Sequence, residues 1–232
     1  VQPASASTTY AGALQDGTGP LAFTKTGPGV LTLSGTNTYS GTTTINGGTL
    51  QISGGSAISD TGAVVLANTA GVALQLASSE TIGSLAGGGT TGGNVNLGVN
   101  TLTTGGNNAS TTFAGVISGS GGLVKQGSGT LTLTGNNTFS GGLAINGGAV
   151  TSGNASAFGT GGFSFDSGTL IPTADMVLAK NTTLNAGGGT FAINSGYFTL
   201  NGNVSGTGGL TKTGSNILTL AGAHTYTSAT VV

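Results

Sequence analysis

Three observations predict an all-β fold, a parallel β-helix (β-solenoid) of about ten to twelve coils. A long block recurs along the 232-residue chain. Short runs alternate apolar and polar side chains from end to end. Pairs and triplets of glycine separate those runs.

The block reads Lys125-Gln-Gly-Ser-Gly-Thr-Leu-Thr-Leu-Thr-Gly-Asn-Asn-Thr-Phe-Ser-Gly-Gly-Leu-Ala-Ile-Asn-Gly-Gly148. It occurs one hundred residues earlier from Lys25 to Gly48 and begins again at Lys212. The stretch leading into it, Thr112-Phe113 to Leu123, returns at an offset of 87 residues as Thr199-Leu200 to Leu210. Thr9-Tyr10-Ala-Gly12-Ala-Leu14 carries the same prelude, with a small insertion before Lys25. The expected organisation is one β-helix segment over 1–232, with repeat copies at 9–53, 112–152 and 199–232 and spacers at 54–111 and 153–198. The third copy stops at Val232, and the opening Val1-Gln-Pro-Ala-Ser5 has no initiator Met, basic region or apolar run. Both features predict a piece of a longer chain whose secretion signal has been removed.

Taken in order, strand signals are Thr49-Leu-Gln-Ile52, Ala73-Leu-Gln-Leu76, Asn94-Val-Asn-Leu97, Thr130-Leu-Thr-Leu-Thr134, Phe163-Ser-Phe165, Phe191-Ala-Ile193 and Leu218-Thr-Leu220. Each places its apolar residues on one face, as the two-residue period of a strand requires. Ala70 to Ser84 comes nearest to a helical period, but Gly71 interrupts it and short strands fit better. Recurrence every 8–12 residues also suits a sandwich or barrel. The long-range repeat selects the solenoid. In it, inward Leu, Ile, Val and Phe stack into an apolar column, and outward Thr and Ser face water. Asn46 and Asn146 in the Ile-Asn-Gly-Gly turns are corner residues of a type that can bond local backbone and tolerate left-handed geometry. Eleven coils at the inter-strand spacing make a rod of about 50 Å.

Composition narrows the function classes. Glycine contributes 48 residues, charged residues only 4%, and the net charge is −1. Flexible Gly/Ser linkers share part of this profile. At 36% hydrophobic residues with regular spacing, however, the chain specifies a core. Four Lys and no Arg exclude the basic footprint that nucleic acid requires. The absence of Cys removes disulfides and thiolate metal sites.

Few residues are candidates for chemistry. The single His, His224, occupies the slot of Asn37 and Asn137 and reads as a polar corner without partners for a metal or a triad. The acids are Asp16, Asp60, Glu80, Asp166 and Asp175. Asp166 and Asp175 on adjacent strands, with Lys180 nearby, would be the carboxylate pair of a polysaccharide-active β-helix. Isolated turn carboxylates are the simpler expectation. Gly161-Gly-Phe-Ser-Phe-Asp166 has part of a calcium nonapeptide, but Ser164 replaces its middle Gly and no tandem copy follows. The repeat lysines Lys25, Lys125 and Lys212 are expected at exposed corners, where they would discourage lateral strand pairing. Tyr10, Tyr39, Phe139 and Tyr226 are expected to pack in the core or at corners. No catalytic, cofactor-binding or metal-binding residue is predicted.

The block from Gly127 to Gly142, with its ending Ile145-Asn-Gly-Gly-Ala-Val150, resembles the autotransporter-associated β-strand repeat, also called the passenger-associated transport repeat. Glu80-Thr-Ile-Gly-Ser-Leu-Ala-Gly87, Asn94-Val-Asn-Leu-Gly98, Asn100-Thr-Leu-Thr103 and Asn107 to Lys125 resemble the spacers of such passengers; 153–198 fits more loosely. The resemblance implies a right-handed parallel β-helix in the passenger of a bacterial autotransporter (type V secretion). Such a passenger crosses the outer membrane of a Gram-negative cell and is displayed on its surface or released. It also implies a translocator β-barrel in the same precursor as partner. No segment here has that barrel's alternating strands of about ten residues with aromatic girdles. The repeat is associated with transport and folding, not with catalysis. The expected function is therefore a non-enzymatic structural rod, a stalk or adhesin with a host or cell-surface receptor. A self-assembling extracellular filament, stacked end to end, is the alternative, and a polysaccharide-active β-helix a distant one.

Overall fold

The computed structural model is a β-solenoid in which strands of successive coils pair in parallel. It describes residues 6–232; the opening Val1 to Ser5, on which the expectation of a processed start rests, lies outside the described residues. Strands form where alternation lets one face be buried. In Thr49–Ile52 and Ala73–Leu76, Leu50, Ile52, Leu74 and Leu76 are buried while Thr49, Gln51, Ala73 and Gln75 remain half-exposed. Parallel register then stacks like on like: Leu31, Leu50, Leu74, Val95 and Ile117 form one inward column, and Leu131, Val150, Leu170 and Phe191 another. A one-residue slip would expose such a column entirely, so the register is strongly specified. Stability is of the nearest-neighbour kind, coil on coil.

Among the described residues the strands fall into sheets of eleven, seven, six and three strands. The eleven-stranded sheet runs the length of the chain, from Phe23–Lys25 to Thr230–Val231. The six-stranded sheet, Ser7–Tyr10 to Ile117–Ser118, and the three-stranded sheet, Met176–Leu178 to Leu218–Leu220, follow one another along a second face. The seven-stranded sheet, from Glu80–Ile82 to Val204–Gly206, forms the third. The loosely matching 153–198 region keeps the architecture and fills its column with aromatics. Phe165 and Phe191 have ring centroids 5.1 Å apart, and Phe191 and Phe198 5.8 Å.

The repeat block uses only two of the three faces, and it changes which two. In the first copy Phe23–Lys25 and Thr43–Ile45 lie in the eleven-stranded sheet, with Val30–Leu33 in the six-stranded one. In the second copy the equivalent Leu123–Lys125 and Leu143–Ile145 lie in the seven-stranded sheet, and Thr130–Leu133 in the eleven-stranded one. The copy beginning at Leu210–Thr213 returns to the eleven-stranded sheet. The second copy is thus turned by one face about the rod axis, because the intervening spacer does not complete a whole number of coils. On the unused face the chain runs through Asn37-Thr-Tyr39 or Asn137-Thr-Phe139 without a strand.

One element was not expected from the sequence. Ala155–Phe158 forms a single 3₁₀ turn capped by Asn154, whose side chain accepts the Ser156 N–H. Asn154 followed by small residues is a typical start for such a turn. In the Ile-Asn-Gly-Gly turns the left-handed position is not taken by Asn46 or Asn146. Gly48 and Gly148, two residues on, take it at φ 62° and 56°. The strain-free residue takes the turn.

Candidate functional site

The chemistry within each repeat is a lysine ammonium held by backbone carbonyls, buried in the first two copies. Lys25 Nζ donates to the carbonyls of Thr26 (2.9 Å), Gly27 (2.8 Å) and Gly47 (2.8 Å). Lys125 Nζ repeats this with Gln126 (2.7 Å), Gly127 (3.2 Å) and Gly147 (3.4 Å). The first two carbonyls come from the lysine's own corner and the third from the next coil, 22 residues on. Left-handed Gly27 and Gly127 bend each corner back beneath the amine. Lys212 keeps the corner contacts, to Thr213 and Gly214, and is half-exposed. The expected exposed corners are therefore corrected for Lys25 and Lys125, which are buried at 6% and 1% exposure. Corner carbonyls with spare lone pairs supply the solvation that water would otherwise give. Burial pushes both ammonium groups below their ordinary range.

Lys180 is also buried, with its Nζ donating to Gly159 (2.8 Å) and Gly161 (2.6 Å) and lying 5.5 Å from the Phe163 ring centroid. Its charge is committed to the preceding coil. The two carboxylates proposed to join it are each committed elsewhere: Asp166 accepts the Gly187 N–H at 2.8 Å and Asp175 the Tyr197 N–H at 3.0 Å. Both are one-coil staples at exposed corners. Asp16 does the same at the first corner, where hydrogen bonds from Ser40 and Leu21 hold its carboxyl below the usual range. Phe163 and Phe165 of the calcium-like stretch point into the core and Ser164 outward. Among the described residues no group of three or more His, Asp or Glu could hold a metal ion.

Asn37 and Asn137 staple the strandless face. Each accepts an N–H from the coil before, of Leu14 or Ile117, at 2.7 Å. Each donates to a carbonyl of the coil after, Ala57 at 2.7 Å or Ala157 at 2.6 Å. Both are buried, so the slot is an internal bridge and not a solvent-facing corner. His224 in the third copy is exposed, and there the Val204 N–H goes to the Ala223 carbonyl instead. Tyr39 and Phe139 are fully buried and Tyr226 half-buried. Tyr10 falls in a different slot, opposite Leu33, equivalent to Phe113 opposite Leu133 and Leu200 opposite Leu220. The outer grooves are shallow; one runs over Gly122, Gly142 and Gly162 beside Val124, Ala144 and Ser164, with no charged residue along it.

The comparisons with known proteins point the same way. The family model for the passenger-associated-transport-repeat matches residues 23–52, 123–151 and 210–232. The adhesin BmaC autotransporter of Brucella suis biovar 1 (strain 1330) is 40% identical over 137 residues, covering 58% of this chain and 4% of that protein. The chain thus spans a small part of the relative's length. No solved structure matches. The first two matched repeats carry the buried Lys25 and Lys125, and the third carries the half-exposed Lys212.

Proposed function

We propose, from the three passenger-associated transport repeats that the chain carries, that it is a non-enzymatic structural rod within the passenger of an autotransporter adhesin. It stands at the surface of, or outside, a Gram-negative bacterium, and a translocator β-barrel of the same precursor is its partner during export. The whole of 1–232 is one β-helical segment of that passenger, and it has no catalytic, cofactor-binding or metal-binding residue. Any contact with a receptor is made by surface shape, since the outward residues of the second copy face a different way from those of the first and third.

The observation that carries this reading is the turn of the block from one pair of faces to another with its internal contacts intact. Lys125 keeps the carbonyl partners of Lys25, and Asn137 keeps those of Asn37, although their outward threonines point in different directions. What the repeat preserves is a way of locking coils together, which suits a folding and transport unit. The dispersal of Asp166, Asp175 and Lys180 onto separate staples supports the non-enzymatic reading.

The test is surface display of this segment joined to a translocator barrel. Lys125→Met and Asn137→Asp should lower the amount of protease-resistant passenger on the cell, and Thr112→Ala with Thr132→Ala should leave it unchanged. The opposite pattern would defeat the proposal, as would turnover of any acidic polysaccharide by the purified rod.

A further inference from the structure

Glu80 is the only glutamate in the chain, and it is 3% exposed. It stands at the first position of Glu80–Ile82, the strand at which the seven-stranded sheet begins. The coil before it crosses that face without a strand, through Ser56 to Ser59. Backbone N–H groups there have no ladder partner, and buried ones must be satisfied by other means. Oε1 of Glu80 accepts the Ile58 N–H at 2.7 Å, and the neighbouring Ala57 N–H lies on the same side of the carboxyl and favours its charged form. Oε2 has no partner and is buried. The equivalent crossing one coil after the second repeat's Asn137 needs no such residue, because in the 3₁₀ turn of Ala155–Phe158 Asn154 accepts the N–H groups of Ser156 and Ala157.

The surroundings favour a neutral carboxyl. From the segment it holds, Asp60 presents a like charge; from the coil before that, Tyr39 presents a phenol hydrogen-bonded to Thr43. The following strand, Leu102–Thr104, offers no titratable group. The nearest repeat lysine along that sheet, Lys125, spends its ammonium on corner carbonyls. A carboxylate in this position has the Ile58 N–H as its hydrogen-bond donor, one buried oxygen without a partner and no counter-charge, so ionisation draws water into the seam.

We propose that Glu80 is a proton-operated latch: protonated, it holds the Ser56–Asp60 crossing against the next coil, and deprotonated, it lets that crossing open. Burial pushes its carboxyl up to about 7, ahead of opposing effects from the Ile58 and Ala57 hydrogen bonds. Because the closed-state value lies above the open-state one, the latch is fully effective below the ordinary glutamate range. Its grip is lost as pH rises through about 7.

The experiment is amide hydrogen exchange on the intact chain at pH 5.5 and 8.5, corrected for the intrinsic rate. Between these values the protection of Ala57 and Ile58 should fall roughly thirtyfold, the ratio for titration from 4.5 to about 7. The Ile117 amide, held by Asn137, serves as control and should not change. Glu80→Gln should remove the pH dependence at Ala57 and Ile58; equal falls in variant and wild type would overturn the latch. A second readout needs no variant, since ¹³C-labelled glutamate gives a single carboxyl resonance in this chain. Its midpoint is expected near neutrality, and a midpoint in the ordinary glutamate range would sink the proposal.

Discussion

The hydroxyl of Tyr39 lies 2.6 Å from that of Thr43, with both residues wholly buried at the edge of the apolar column. The third copy repeats the pair as Tyr226 and Thr230 at 2.5 Å. In the second copy both members change together, to Phe139 and Leu143, each buried. A buried phenol needs a partner, and a buried hydroxyl likewise; an all-apolar pair of similar shape needs neither.

Breaking the pair should therefore cost more than replacing it. Thr43→Val strands the Tyr39 hydroxyl and should destabilise the rod by about 1–3 kcal/mol. The double variant Tyr39→Phe, Thr43→Val removes both hydroxyls, as the second repeat does, and should recover most of that loss. Urea unfolding of the two single variants and the double one measures the coupling, and strictly additive effects would refute it.

The lysine cradles should rank by burial and by their contacts. Lys125→Met removes an ammonium that is 1% exposed and leaves three carbonyls short of a donor. A loss of about 2–3 kcal/mol is expected, in the range for hydrogen bonds to a charged group. Lys212→Met, at a half-exposed site with two carbonyls, should cost clearly less. Thermal melts of the two variants decide the order.

Asn137 should be sensitive even to its closest isostere. Asn137→Asp loses the donor to Ala157 and sets a carboxylate against that carbonyl, 2.6 Å away in the native pair. A cost of about 2 kcal/mol or more follows from burying a polar group without its partner. Hydrogen exchange at Ile117 should rise in step, because its N–H is held by the same side chain.

Two glycines mark the limits of coil-on-coil spacing. A Cβ at Gly121 would lie 1.8 Å from the Asn100 carbonyl oxygen, so Gly121→Ala forces adjacent coils apart and should disrupt folding. A Cβ at Gly17 meets nothing within 4 Å. Gly17→Ala should change stability by less than about 0.5 kcal/mol, as surface substitutions commonly do. Circular dichroism with urea titration distinguishes the two.

Much of the fold could be read from Leu131 and Leu133 alone: their alternation, repeated at Leu31 and Leu33, already set inside against outside and excluded a helix. The lysines were misread for a physical reason. Lys125 looks like a surface residue until the fold brings in the Gly147 carbonyl from 22 residues away, and no local pattern announces that acceptor. Glu80 was legible only as one isolated acid, since its partners Ala57 and Ile58 are ordinary core residues whose N–H groups matter only because their segment forms no strand. The turn of the second block was equally hidden. It depends on the summed lengths of every coil in the 54–111 spacer, while the block's own residues are nearly unchanged.

That turn has a consequence for how such a stalk changes length over time. A block that brings its own lysine clamp, and whose asparagine staple asks only for backbone groups of the coils before and after, fits on more than one pair of faces without the spacers keeping a common measure. Duplication then lengthens the arm without rewriting what flanks the new copy. The outer surface is reshuffled around the axis at each such event while the interior still stacks. The reach of the rod and the pattern it shows to the outside are free to vary almost independently.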